Sequence, residues 1–204
     1  ATADSDNSGT TSRDVAIVKL TLTGRFADGT LEAAPTLPAF GQAGLVTVHI
    51  QTDGAVKSDD EAFALAWQPT TTLTEPRLVV AGRSVLDGAS DSLVLRLDPQ
   101  DGTVETIWLH DFGGDDELRA VLVPPPALAN QTPPIVVGGH ATPLGSGASD
   151  LLIARLLPDL SGLDPTFGQA GLRTVDTAGE EDLGYALAQD SSGRLVLAGT
   201  RTVD

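Results

Sequence analysis

The sequence of 204 residues contains no cysteine and no methionine. Without cysteine, disulfides and thiolate metal sites are excluded; that absence identifies no compartment. Without methionine there is no start codon in view. The sequence is therefore expected to be a processed or excised piece, with any signal peptide out of sight. Aromatic residues make up only 4%, so a core drawn from the 41% of hydrophobic residues must be built of Leu, Val, Ile and Ala. Basic residues are scarce: Lys and Arg number 12 against 28 Asp and Glu, a formal net charge of −16. Phosphate binding needs a basic surface, so nucleic acid is not expected as a partner, and an anionic membrane surface is disfavoured for the same reason. No apolar run approaches the ~20 residues of a membrane-spanning helix, so no membrane insertion is expected. Such a charge suits solubility, cation binding or a basic partner. What is plentiful is glycine, 22 residues, and proline, 13. Both mark tight turns and point to an all-β chain without long helices.

Self-similarity is the strongest signal. DEAFALAWQP with RLVVAGR (Asp60–Pro69, Arg77–Arg83) aligns with DELRAVLVPP and PIVVGGH (Asp116–Pro125, Pro134–His140). Both align with DLGYALAQDSSGRLVLAGT (Asp182–Thr200). Gly82, Gly139 and Gly199 then recur at spacings of roughly sixty residues. A further strand follows the first two copies, DSLVLRL (Asp91–Leu97) and DLLIARL (Asp150–Leu156), and stands near the start as DVAIVKL (Asp14–Leu20). FGQAGL occurs verbatim at Phe40–Leu45 and Phe167–Leu172, whereas the middle copy has TVETIWLHDFGG (Thr103–Gly114).

Each unit reads as four short strands, in the last copy Leu151–Leu156, Gly171–Asp176, Gly184–Gln189 and Arg194–Gly199. Leu and β-branched residues fill them, and Gly, Pro, Asp and Ser bound them. The expectation is a single repeat domain over residues 1–204. Its tandem four-stranded, blade-like units are β-propeller-like and span roughly 14–83, 91–140 and 150–200. The first strand of each unit is available to complete the preceding blade. The near-continuous apolar runs fit strands covered on both faces, and the small residue before each glycine (Ala81, Gly138, Ala198) fits close sheet-on-sheet approach. A β-sandwich with coincidental similarity is the alternative; the verbatim FGQAGL stands against it.

The third copy carries Ala154-Arg155-Leu156, Leu163 to Gly168, Gly171, Tyr185 to Ala188 and Leu195 to Gly199. The first carries Phe40 to Gly44, Phe63 to Ala66 and Leu78 to Gly82, interrupted near Leu31–Pro38, Gln51–Ser58 and Thr70–Pro76. The second keeps Arg96-Leu97-Asp98, Asp101-Gly102 and Asp111 to Gly114. In these residues the chain resembles the delta-sixty repeat family of bacterial surface and secreted proteins. The resemblance implies a β-propeller-like fold and an extracellular, cell-surface or periplasmic setting. It implies no defined activity, and fold alone supplies none.

The sequence begins and stops in mid-unit, and its tail joined to its head would read as one more junction. Propellers have typically 4–8 blades, so about three units look too few for a ring. Further blades from a partner or a longer parent chain, or a self-closed three-unit barrel or prism, all remain open.

An acidic position recurs before the third strand of every unit: Asp59-Asp60-Glu61, Asp115-Asp116-Glu117 and Glu181-Asp182. Carboxylates ringed on one face suit Ca²⁺, which takes six to eight oxygen ligands; a solvated turn that guards strand edges is the plainer reading. DSDNSG (Asp4–Gly9) resembles a calcium loop but lacks its downstream Glu, since the twelfth position is Val15. Asp14, Asp91 and Asp150 open the first strands, and Lys19, Arg96 and Arg155 close them. Arg96 and Arg155 are expected to bond loop carbonyls or carboxylates of a neighbouring unit. His49, His110 and His140 show no zinc spacing and are expected at the surface or satisfied. GSGAS (Gly145–Ser149) lacks the strand-to-helix elbow of a nucleophile. Trp67 and Trp108 are expected in packing, and Asn130 heads a sequon.

Two functions are compatible with these features. The first is a non-enzymatic surface or assembly module, a scaffold binding other protein chains, copies of itself or further blades. Its inserted loops, including Pro124–Pro133, and its unpaired terminal strands would make the contacts. The second is a carbohydrate-active enzyme or lectin-like domain using acidic loop residues, with or without calcium. Glycoside chemistry would need two carboxylates roughly 5–9.5 Å apart, with Asp111, Asp115 and Asp116 the residues to test.

Overall fold

A computed structural model of the chain describes residues 12–20, 39–50, 52–53, 56–69, 75–86, 88–128, 131–177 and 180–203. The Asp4–Gly9 loop, the Leu31–Pro38 insertion, parts of the Gln51–Ser58 and Thr70–Pro76 insertions and Asn130 lie outside them. The described residues are all strand and turn, without a helix. Strand β1 (Val15–Val18) pairs with β2 (Leu45–Val48), and β3 (Thr52–Asp53) with β4 (Val56–Lys57). A four-stranded sheet follows, in the order β5 (Asp59–Gln68), β6 (Arg77–Leu86), β7 (Ala89–Leu97) and β8 (Val104–His110). A second holds β9 (Asp116–Leu122), β10 (Ile135–Ala141), β11 (Asp150–Leu156) and β12 (Leu172–Val175). The last two strands, β13 (Asp182–Gln189) and β14 (Leu195–Arg201), pair with each other. All named pairings are antiparallel.

The sheets are staggered against the sequence units. Each four-stranded sheet takes the last two strands of one unit and the first two of the next. The described residues therefore hold two whole sheets flanked by two halves, β1–β2 before and β13–β14 after, besides the short β3–β4 pair. Strand β9 packs on β5, β6 and β7, and β13 on β9, β10 and β11. The first strands of successive sheets lie side by side, as the inner strands of propeller blades do. The fold is all-β and β-propeller-like.

Sheet-on-sheet burial explains the apolar runs. In the first whole sheet Val80, Leu93, Leu95 and Leu97 face the half-sheet, packing with Val15, Ile17, Phe40, Val46 and Val48. Val79, Ala81, Val94 and Trp108 face the other way, onto Leu118, Ile135, Val137, Leu152 and Ala154 of the second sheet. Side chains alternate between faces along a strand, so a strand covered on both sides must be apolar at nearly every position.

The verbatim FGQAGL segments adopt one conformation. Gln42 and Leu45 exchange backbone hydrogen bonds, as do Gln169 and Leu172. Ala43 and Ala170 both have φ 53°, and each is followed by a positive-φ glycine, Gly44 or Gly171. A basic residue from the first strand of the unit lies over each ring: Lys19 Nζ is 5.6 Å from the centroid of Phe40, and Arg155 Cζ 5.1 Å from that of Phe167. Of their second contacts, only that of Lys19 reaches a neighbouring unit; the carboxylates bonded by Arg96 and Arg155 belong to their own units, because the strand or turn that pairs with each arginine's strand supplies them. Lys19 donates to the Pro99 carbonyl at 2.8 Å, Arg155 to Asp164 at 2.9 Å, and Arg96 lies 3.6 Å from Glu105.

A β-bulge recurs between the first two strands of each sheet. The register skips Phe63 opposite Gly82, Arg119 opposite Gly139 and Tyr185 opposite Gly199. The extra residue is turned out of the ladder, and the three form a column across the stack. Arg119 lies 4.2 Å from the ring centroid of Phe63 and 5.9 Å from that of Tyr185. A guanidinium between two aromatic faces ties the inner strands of three successive sheets together.

Candidate functional site

The repeat places a carboxylate group at every seam between sheets. Three chain segments meet there: the start of a first-type strand (Asp14, Asp91, Asp150), the end of a second-type strand (His49, Asp111, Asp176), and the start of the next sheet (Asp60, Asp116, Asp182). Asp60, Asp116 and Asp182 are at most 1% exposed. The backbone N–H of Asp60 donates to the Arg13 carbonyl and that of Asp182 to the Ser149 carbonyl, both at 2.7 Å; the N–H of Asp116 donates to Ser90 Oγ at 3.1 Å. Their carboxylates in turn accept a backbone N–H from the residue two past the end of the preceding strand: Ile50 at 3.0 Å, Phe112, and Thr177 at 2.8 Å. The buried aspartate is thus a hook that satisfies the loop backbone entering the next sheet.

The hooks differ in their other bonds. Asp60 also accepts from Ser84 Oγ at 2.6 Å and Ser58 Oγ at 3.1 Å, and His49 Nδ1 lies 3.0 Å from Asp14 and 3.8 Å from Asp60. Asp182 accepts from both N and Oγ1 of Thr177. Asp116 Oδ1 is buried with no hydrogen-bond partner among the described residues. Burial raises the pKa of Asp60. Burial, followed by the charges of Asp111 and Asp91, pushes Asp116 up to about 7. Asp150 is raised by burial and by Asp176 and Asp182.

The acidic triplets read in the sequence are split by strand alternation. Only the middle member turns into the seam, or in the last copy the second of two. Asp59 holds Arg13, whose guanidinium keeps the Asp59 carboxyl below its ordinary pKa. Glu61 pairs with Arg13 and, at 2.7 Å, with Arg83. Asp115 accepts from the backbone N–H of Ser90 at 3.1 Å. Glu117 pairs with Arg83 and, at 2.6 Å, with Arg119. Glu181 is exposed, and its carbonyl accepts from Thr202 at 2.9 Å. Arg13, Glu61, Arg83, Glu117 and Arg119 therefore form a ladder of alternating charge crossing two sheets. It borders an open cavity of about 460 Å³ that includes His140 and Glu181.

The seam members that the triplets do not include are Asp14, His49, Asp91, Asp111, Asp150 and Asp176. Their signal was recurrence at one place in each unit rather than proximity along the chain. Among the described residues, those grouped closely enough to hold a cation are Asp150, Asp176 and Asp182, whose ligand atoms lie within 4.8 Å of one another, and Asp14, His49 and Asp60, grouped in the same way. Three such side chains leave the rest of the six to eight oxygens of a calcium shell to carbonyls and water, and hydrogen bonds already engage both oxygens of Asp182. Chelator is accordingly expected to leave the melting temperature unchanged. A clear drop on adding EDTA, reversed by calcium, would establish the calcium reading.

The remaining candidates have structural partners. His110 stacks on Trp108 (5.1 Å, 9°) and meets Phe112 edge-on at 4.4 Å. His140 is buried 3.7 Å from Glu117, and burial lowers its pKa. Ser149 shares a 2.8 Å hydrogen bond with Thr142 in a loop without a helix behind it. Trp108 is buried in packing, but Trp67 is 53% exposed.

Two segments of the chain, residues 77–106 and 135–167, match a family model described as a domain of unknown function (DUF5122), β-propeller. Each match begins on the second strand of a whole sheet and runs across its third. None of the curated proteins matches the chain. The match agrees with the staggered sheets and supports a β-propeller-like repeat family.

Proposed function

We propose that this chain is a non-enzymatic scaffold of an extracellular or cell-envelope assembly, joining other protein chains through its incomplete sheets. One observation supports this reading above the rest. Val79 and Val136 occupy equivalent positions in β6 and β10 and are 0% and 2% exposed, but Val196 at the same position of β14 is 54% exposed. The same repeat position is buried where a following sheet packs over it and open where, among the described residues, none does. An exposed apolar sheet face is a contact surface for other protein, and the strand edge beside it can pair with a further strand. The extracellular setting draws on the resemblance to delta-sixty repeat proteins and on the acidic composition. The alternative of a carboxylate enzyme gains nothing from the large cavity, since Glu117 at its wall is engaged by two arginines.

Light scattering of the purified chain tests the proposal. A particle heavier than one chain of 20.9 kDa is expected. A single-chain mass at every concentration, up to those of the native source, would sink it.

A further inference from the structure

We propose that the cavity over the second whole sheet is a binding site for an organic cation, an ammonium or guanidinium group carried by a small molecule or by a protein side chain. The site does not need the scaffold reading. The cavity measures about 460 Å³, within the range of roughly 300–1,000 Å³ that small-ligand sites occupy. Its walls come from three successive sheets: Arg83 of β6, Glu117 and Arg119 of β9, His140 of β10, and Glu181 and Leu183 at the start of β13. Both neighbours of the second whole sheet therefore contribute to it.

The hydrogen-bonding capacity left over in the cavity is of one kind. Its guanidiniums already hold carboxylates. Arg83 donates from Nε to Glu61 at 2.7 Å and from Nη1 to Glu117. Arg119 donates from Nε to Glu117 at 2.6 Å, and the rings of Phe63 and Tyr185 lie over its guanidinium. Thr142 Oγ1 donates to the Asp115 carbonyl at 3.1 Å, so Ser149 is the donor in the 2.8 Å bond between the two hydroxyls. A hydroxyl has one proton, and Ser149 Oγ is left with lone pairs only. Asp115 Oδ1 accepts from Ser90, and no described residue donates to Oδ2. The exposed Glu181 carboxylate accepts from no described residue either.

His140 adds a buried acceptor. It is 7% exposed, and its Nδ1 is buried without a hydrogen-bond partner among the described residues. Its Nε2 lies 3.7 Å from Glu117. A carboxylate offers lone pairs only, so the ring proton belongs on Nε2, facing it, and Nδ1 is an acceptor without a donor. Burial lowers the His140 pKa and keeps the ring neutral. An unmet buried acceptor is costly, and together with the open carboxylates it calls for a ligand rich in N–H.

The chemistry of that ligand follows by elimination. An anion would find both arginines engaged and only carboxylates open. A bare metal ion needs ligand atoms close together, and the acids of this cavity are not among the close groups of the described residues. An ammonium brings three donors and a guanidinium five, enough to reach separated acceptors. Three carboxylates, Asp115, Glu117 and Glu181, face two guanidiniums in the cavity, so a cation also improves the balance of charge. Leu183 offers an apolar wall for an aliphatic stem.

NMR titration of the whole chain tests the site, at about 0.15 M salt to screen the general attraction of an acidic surface. Nα-acetyl-lysinamide and Nα-acetyl-argininamide stand in for a protein side chain, putrescine and agmatine for a free amine. Saturable, millimolar binding of at least one pair is expected, with the largest amide shifts at Gly147, Ala148 and Leu183; the tighter pair identifies the source. Glu181→Gln and Asp115→Asn should each weaken binding about three- to fivefold, the scale of one partly exposed ion pair. Glu75→Gln removes an exposed carboxylate at the other end of the first whole sheet and should leave the affinity unchanged. The site is overturned if none of the four probes binds, if shifts grow without saturation over the whole surface, or if Glu75→Gln weakens binding as much as Glu181→Gln. None of these outcomes alters the mass of the particle, which tests the scaffold reading separately.

Discussion

Replacing Gly139 by alanine is expected to unfold the second whole sheet, at a cost of about 4 kcal/mol or more. The recurrent glycine was legible in the sequence, but its reason lies in the bulge. An added Cβ at Gly139 would sit 1.8 Å from the Glu117 carbonyl oxygen and 3.0 Å from Leu118 Cα. Gly82 and Gly199 meet the carbonyls of Glu61 and Leu183 at 1.9 Å in the same way. The obstacle is backbone, fixed on both sides by the β9–β10 ladder, so no side chain can move aside. Relief requires opening the ladder where Arg119 is turned toward Phe63 and Tyr185. Losses above roughly 4 kcal/mol are exceptional for single substitutions, and a natural domain has about 5–15 kcal/mol in all. At this chain length such a loss lowers Tm by more than ~8 °C. Gly147 supplies the control, since nothing lies within 4 Å of its added Cβ. Gly147→Ala should stay within about 1 kcal/mol of wild type. Equal melting of the two variants in a thermal scan would show that the close approach is not what selects glycine.

How far the sequence could be read depended on the range of the determining contact. Strand positions, the apolar cores and the common turn of Phe40 and Phe167 follow from local pattern, and local pattern is what a repeat preserves. The stagger of sheets against units follows only in part: the first strand of a unit could be seen as free to complete the preceding blade, but not that the second strand goes with it. Which strand pairs across the unit boundary is a long-range choice, and the unit reads equally well cut at either place. The acidic triplets show the same division. Three acids in a row announce a strand start, yet period-two alternation sends only Asp60 and Asp116 inward and leaves Glu61 and Glu117 to the arginines. The bulged residues Phe63, Arg119 and Tyr185 have no common chemistry in sequence. They become a group only when the ladder skips them, because their partners are one another.

Asp116→Asn is expected to stabilise the protein at pH 8 and to flatten its stability between about pH 4 and pH 7. Asp116 is buried beside Asp111 and Asp91, one of its oxygens has no partner among the described residues, and its pKa is raised from 3.8 to about 7. A carboxyl with a raised pKa in the folded state holds a proton that the unfolded chain has released. Stability must then fall as pH climbs from the unfolded value to the folded one, and stay low above it. Each pKa unit corresponds to 1.36 kcal/mol, so the penalty complete above pH 7 is on the order of 4 kcal/mol. The asparagine carbonyl can still accept the Phe112 N–H, and its amide brings no charge toward Asp111 and Asp91. Self-repulsion at a net charge of −16 gives the wild type a slope of the same sign, so the informative quantity is the difference between wild type and variant. Urea unfolding of both at pH 4, 6 and 8 measures it. The gap should be small at pH 4 and widen to a few kcal/mol at pH 8. A gap that is constant with pH would mean that Asp116 titrates normally and that its hook to Phe112 outweighs its burial. A gap that closes or reverses on adding calcium would mean that a cation neutralises this seam.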